Sequence, residues 1–356
     1  MGRTALLLVM GLGIALGTIS YNISGTTQRA LENNYTYYKY MYARNLARTA
    51  IHTALRSYDN GNITPDTTRD VPFAGGFYRI VSLQTSAPPA DTLWLTARGS
   101  YVDTSYTIYT TLFRTTRPFP QVNSALGVLA TLQTFSMNGK PQIDGRNYNA
   151  TGTALVGSGD LPGVTTLNTS DSITVYSQAI TPSRDTLIRG ATVGGVQQRV
   201  IVDRDPEDPS SFIQEYENNH DIKLTAGTYT NQTYGSATNP VIVFADGSGG
   251  TVKFAGTTTG YGILAVRGQT LSLAGQFNWF GLVVILSDFA TVEFDESGNA
   301  NIIGGLIVAQ ANYGPAKLRL NGTGANPGKI RYSSEAIKNS TNVGRLRYYR
   351  VISWYE

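Results

Sequence analysis

No cysteine occurs in this chain of 356 residues, so disulfides, cysteine nucleophiles and thiolate metal sites are all excluded. Histidine is almost as scarce. His52 and His220 stand far apart in the sequence, and neither lies in a motif with a serine nucleophile. Charged residues make up only 15% of the chain, and the net charge of +4 comes from Lys and Arg scattered along it. Without a basic stripe, nothing points to a nucleic-acid partner. Acidic residues are missing altogether before Glu32. What the chain has instead is 38 glycines, 22 tyrosines and abundant Thr and Asn, a balance that suits a β-rich extracellular protein better than a cytoplasmic enzyme.

The first fifty-eight residues stand apart. No charged side chain falls between Ala5 and Ile19, and no proline interrupts the chain up to Tyr58. A helix over Ala5 to Ser57 would be roughly 80 Å long, more than a globular core of this size needs. In its front half Ala5, Leu6, Leu7, Leu8, Val9, Met10, Leu12, Ile14, Leu16 and Ile19 form an apolar surface, and Gly11, Gly13 and Gly17 let a neighbouring helix approach closely. In its back half Leu31, Ala43, Leu46, Ala47, Ala50, Ile51, Ala54 and Leu55 follow spacings of three and four, an apolar stripe that can lie on a sheet of the same chain. The front run is compatible with a cleaved signal, a plain membrane anchor, or a helix that leaves the membrane to enter a polymer. Helical patterning that continues straight past the run favours the last.

Asp59 to Gly76 reads as a loop, with Pro65 and Pro72 between glycines. Three segments rich in β-branched and aromatic residues follow, FYRIVSLQT, DTLWLTARGSY and SYTIYTTLFRT, separated by Ala87-Pro88-Pro89-Ala90 and by Val102-Asp103-Thr104. They read as an antiparallel sheet facing the stripe. From Val241 the texture becomes periodic: blocks starting at Val241, Gly262, Gly281 and Gly305 each hold a short apolar strand, a turn, an alternating strand and a glycine, at intervals of about 19 to 24 residues. Such spacing predicts stacked parallel coils, with an antiparallel sandwich of the same strands as the rival. A short helix is expected around Gln214 to Asn219. The expected architecture is α+β, mainly β. A long N-terminal helix (1–58) packs on a small antiparallel sheet (59–117). A C-terminal β-rich domain (118–356) follows, like a β-solenoid or parallel β-helix, with two-strand repeats from 241 to 320.

The glycine-containing apolar helix, the Ala43-Arg44-Asn45-Leu46-Ala47 motif and the three strands after it resemble type IV pilin-like subunits, nearest to PilX-type and pseudopilin-type minor components. Ile143-Asp144-Gly145-Arg146, Gly304-Gly305-Leu306-Ile307-Val308-Ala309, Tyr332-Ser333-Ser334-Glu335-Ala336 and Ser353-Trp354 are similar to the large C-terminal β domain that some of these proteins carry. The resemblance implies insertion in the inner membrane, cleavage after a glycine by a prepilin peptidase, and extraction by the pilus assembly machinery into a filament cored by such helices. Its partners would be copies of itself or related pilins. The chain departs from the family where major pilins place a glutamate as the fifth mature residue: position 5 is Ala5, and cleavage after Gly2 would put Leu7 there.

Other features have plain readings beside functional ones. Tyr35, Tyr38 and Tyr42, in a run with Tyr37 and Tyr40, suit a subunit interface, or else pack on the chain's own sheet. Asp203, Asp205, Glu207 and Asp208 could chelate calcium, but they lack the spacing of a known loop and read as a solvated acidic turn. Asp288, Glu293, Asp295 and Glu296 are the nearest approach to a lyase-like carboxylate cluster, yet they too look like a turn. Eight Asn-X-Ser/Thr triplets, among them Asn149, Asn231 and Asn321, mark polar loops that could carry sugar. No catalytic residue, metal or cofactor is expected. The sequence reads as a structural subunit of an extracellular pilus-like filament at the cell surface, not an enzyme. The alternative is a membrane-anchored adhesin or glycan-binding protein that does not polymerise.

Overall fold

The computed structural model describes residues 2–59, 69–85, 92–179, 186–203, 205–288, 292–322 and 327–356. The centre of the 59–76 loop, with Pro65, and the Ala87–Ala90 turn lie outside them. The chain forms two compact units, one of residues up to Thr115 together with Tyr348–Glu356, the other Thr116–Arg347. The whole is α+β and mainly β.

In the first unit, helix α1 (Gly2–Asp59) lays its back half on a sheet. Ala43, Leu46, Ala47, Ala50, Ile51 and Ala54 are all buried, at the spacing that makes one helix face. Leu31 is 64% exposed and does not belong to the stripe, contrary to the sequence reading. The sheet explains why. Its strands β1 (Val71–Phe73), β2 (Gly76–Thr85), β3 (Thr92–Tyr101) and β4 (Thr104–Thr116) are neighbours in that order and antiparallel. The tip of the β3–β4 hairpin reaches α1 at Lys39, whose Nζ lies 2.7 Å from Asp103 Oδ1. Leu31 is two turns farther out, about 12 Å beyond that contact. Leu93, Leu95, Ala97 and Gly99 of β3 face the helix. Gly99 sits so close that a Cβ there would lie 2.0 Å from the Ala43 carbonyl oxygen, so only glycine permits this approach.

The strand Arg347–Tyr355 pairs with β4 at the far edge of this sheet, although the sequence reading left it in the C-terminal domain. Arg48 Nε and Arg44 both bond Glu356, the former at 2.6 Å, and Trp354 Nε1 donates to the same carboxylate at 2.8 Å. These contacts clamp the returning strand against α1.

The second unit is built on a curled sheet whose strands pair in parallel. Val241 faces Gly262, Gly281 faces Gly304 and Val292 faces Ala316. The fourth block is therefore in register from Gly304, not Gly305, and parallel pairing sets the antiparallel sandwich aside. Strands Leu126–Leu129, Val164–Thr166 and Val200–Val202, unread in the sequence, extend the ladder from the last block: Leu306 faces Leu126, Leu126 faces Val164, and Val164 faces Val200. The spatial order is thus not the chain order.

Two burial patterns explain the two strand textures. Val243, Ala245, Leu264, Val266, Val283, Ile285 and Val308 point into the core enclosed by the curl. Their neighbours Ile242, Phe244, Ile263, Ala265, Leu282, Val284 and Ile307 point the other way, under helix α3 (Ser210–Asn218) and residues Val343 and Leu346. A strand buried on both faces reads as a continuous apolar run. The following strands bury one face only, Val252 and Phe254 or Leu271 and Leu273, and so alternate. Helix α3 begins four residues before the sequence reading placed it, and helix α2 (Thr169–Ala179) was not foreseen.

Candidate assembly surface

Every side chain from residue 5 to residue 38 of α1 is exposed, a stretch of about 50 Å. Leu6, Leu7, Leu8, Val9, Met10, Leu12, Ile14, Leu16 and Ile19 are between 53% and 70% exposed. A stretch that begins at Ala5 is long and apolar enough to cross a membrane. Thr18, Thr26 and Thr27 in this half satisfy their own hydroxyls. Thr18 Oγ1 donates to the carbonyls of Ile14 and Ala15 at 3.0 and 2.9 Å, and Thr27 Oγ1 to that of Ile23 at 2.8 Å. A hydroxyl bonded back onto its own helix can enter an apolar medium without leaving a donor unmet.

The glycines tell the same story from the other side. A Cβ added at Gly11, Gly13, Gly17 or Gly25 would meet nothing within 4 Å. Each costs about 1 kcal/mol of helix propensity against alanine, and no contact among the described residues requires it.

The tyrosines divide. Tyr42 packs on its own sheet, its ring 4.4 Å from that of Tyr101 and its hydroxyl bonded to the Ala74 carbonyl. Tyr38 lies 6.0 Å from Tyr101, and Tyr40 lies 5.0 Å from Tyr106. Tyr35 and Tyr37 stay 55% and 66% exposed, with Lys39 Nζ 4.9 Å from the Tyr35 ring centre.

The carboxylate groupings do not converge. Asp288 pairs with Arg267 at 2.6 Å and Glu293 with Lys317 at 3.1 Å. Glu296 turns inward and is 2% exposed, with Oε1 lacking any partner; burial pushes its carboxyl up to about 8. In the 203–208 loop, Asp203 bonds Asn123 at 3.1 Å, Glu207 accepts the Gln121 N–H at 2.9 Å, and Asp208 accepts the Ser210 N–H at 2.9 Å. Asp205, Glu207 and Asp208 remain exposed. The Asp144-Gly145-Arg146 turn holds a partly buried ion pair: Arg146 reaches both oxygens of the buried Asp144 at 2.9 and 2.6 Å, and Tyr148 Oη donates to Asp144 at 2.8 Å. Burial pushes the Asp144 carboxyl upward, yet these bonds hold it below the ordinary carboxylate range.

One feature escaped the sequence reading. On the side of the β2–β4 sheet away from α1, Arg79 and Arg98 are direct cross-strand neighbours, flanked by exposed Phe77, Trp94 and Tyr109. The alternation in FYRIV and TARGS carries the signal, since residues two apart share a face.

No family model matches the chain, and no curated protein does. Among solved structures it is similar to the competence-associated pilin ComZ from Thermus thermophilus, at 12% identity over 89% of this chain and 97% of that one, with a TM-score of 0.24. An overlap so loose carries no weight for fold or function.

Proposed function

We propose that the chain is a structural subunit of an extracellular type IV pilus-like filament, held together by the front half of α1. The observation that carries this reading is the row of exposed apolar side chains from Leu6 to Ile19, interrupted by glycines that nothing in the chain requires. Removing those side chains from water is worth roughly 15–25 kcal/mol at about 1.5–3 kcal/mol each. Such a surface passes from lipid to neighbouring helices without meeting water. In this reading the inner membrane holds the subunit before assembly. By the resemblance noted in the sequence, a prepilin peptidase and the pilus assembly machinery process and extract it, and copies of itself or related pilins surround it afterwards. The antiparallel sheet and the parallel sheet, read as stacked coils, form the outer layer. Tyr35 and Tyr38 contribute side contacts between subunits.

The membrane-anchored adhesin shares the exposed helix, which a single span would also cover. Deleting Met1 to Asn22 and examining sheared surface material by electron microscopy tests the proposal. The filament reading expects fibres from the full chain and a soluble, fibre-free product from the truncated one. Full-length chain confined to the membrane, with no fibres, would favour the adhesin.

A further inference from the structure

The exposed half of α1, from Gly2 to Tyr38, carries just three charged residues, Arg3, Arg29 and Glu32, and so a single carboxylate. Among the described residues Arg3 has no ion pair. Glu32 Oε1 accepts from Gln28 Nε2 at 3.2 Å, and Arg29, one turn before it, does not pair with it. Farther along α1 the carboxylates that reach it from the sheet are already held: Asp103 by Lys39 at 2.7 Å, Glu356 by Arg44 and Arg48. The spacing of Arg3 and Glu32 is a second observation. Twenty-nine residues separate them, eight helical turns to within about 20°, so they project from the same side of α1 about 43 Å apart. Leu7, Met10, Ile14, Gly17, Tyr21 and Gly25 fall on that side between them, and no other charge does. In a membrane Arg3 can stretch back to the lipid headgroups, because the apolar run begins only at Ala5. A bundle of helices offers no such boundary, and an unpaired guanidinium enclosed in one is costly.

We infer that Arg3 of each copy of the chain pairs with Glu32 of a second copy displaced by about 43 Å along the helix direction. Copies that leave one membrane share a direction, so their α1 helices run parallel. With both charges on one side of the helix, the Arg3 and Glu32 side chains of adjacent helices lie abreast across an interaxial distance of about 8–10 Å. A guanidinium meets a carboxylate there in two parallel bonds. The two groups differ, so the contact is heterologous: each copy gives Arg3 to one neighbour and receives the Arg3 of another at Glu32. Repeated, such a contact grows an open polymer unless its rotation closes a ring. This pairing rests on the filament reading and gives its helix core a register.

The test uses full-length protein and scores sedimentable polymer against the chain held in the membrane, so that a defect of insertion is not counted. Glu32→Lys is expected to lower polymer at least tenfold while melting of the first unit stays unchanged. Glu32→Asp, which keeps the carboxylate, is expected to stay within threefold of the native amount. Arg3→Gln added to Glu32→Lys removes one of two like charges and is expected to raise polymer at least threefold over Glu32→Lys alone. A second arm reads the register with both charges in place. The native chain has no cysteine, and Leu7→Cys and Thr36→Cys are likewise 29 residues apart on one side of the helix. Co-expressed, differently tagged chains carrying one or the other are expected to link through a short bis-maleimide. With Tyr21→Cys in place of Thr36→Cys, linking is expected to fall at least fivefold. Native polymer from the Glu32→Lys chain would overturn the pairing. So would linking at position 21 that equals linking at position 36, and either result leaves the filament reading standing. A native chain that forms no polymer ends the filament reading, and this contact with it.

Discussion

Tyr216, on the inner face of α3, is completely enclosed, and its hydroxyl has no hydrogen-bond partner among the described residues. Burial raises its phenol well above the usual range. A buried donor left unmet costs about 1–3 kcal/mol, so Tyr216→Phe is expected to stabilise the second unit by about 1 kcal/mol, a rise of about 2–4 °C in its melting transition. Glu296 makes a pH-dependent case. Its folded carboxyl sits at about 8 against an ordinary 4.5, so the folded state keeps a proton that the unfolded state has released. Stability from this group is therefore full below about 4.5, falls as pH rises toward 8, and is flat beyond. The loss is on the order of 3–5 kcal/mol. Melting of the second unit, followed from pH 5 to pH 9, should decline in the native chain and stay nearly level in Glu296→Gln. Neither residue could be picked out from the sequence. Glu296 stood there among acidic neighbours in an apparent turn, and only the parallel pairing of Leu273 with Glu296 and Glu296 with Leu320 places it in the apolar interior.

Among elements, α1 was the most legible, because an uncharged run followed by a three-and-four stripe has few other outcomes. Its limit was Leu31, whose spacing fitted the stripe but lay beyond the reach of the sheet. The docking of α1 on β3 depends on Gly99. Gly99→Ala forces the backbones apart and is expected to cost the first unit about 3 kcal/mol or more, read as an earlier melting transition. Gly13 offers the opposite experiment. No described residue crowds it, so Gly13→Leu should not lower melting of the first unit and should sharply lower the yield of polymer. Polymer at native yield from that variant would remove Gly13 from any helix contact. The blocks from Val241 were legible because strands buried on both faces leave unbroken apolar runs between glycines. Leu126–Leu129, Val164–Thr166 and Val200–Val202 were not, since three or four residues make no period and α2 interrupts them.

At the scale of the whole molecule, the sequence conveyed the succession of long helix, small antiparallel sheet and large β-rich unit, but not the order in which the large unit stacks its strands. That order depends on pairing between residues far apart, as when Leu306 meets Leu126, and local patterning holds no record of it. Two polar groups show the same limit: Arg146 and Tyr148 meet Asp144 within four residues, whereas Glu356 finds Arg44 and Arg48 across nearly the entire chain. Asp144→Asn, which removes the carboxylate from a half-buried guanidinium, is expected to destabilise the second unit by about 1–3 kcal/mol, measurable by denaturant titration of the intact protein.

The second unit begins at Thr116 and ends at Arg347, and the chain on either side belongs to adjacent strands of one sheet. It is therefore moored by two covalent lines instead of one. A protease that severs either line leaves the other holding, and a pull on the large unit is shared between β4 and the strand that Glu356 pins to the helix. Shedding it takes two cuts.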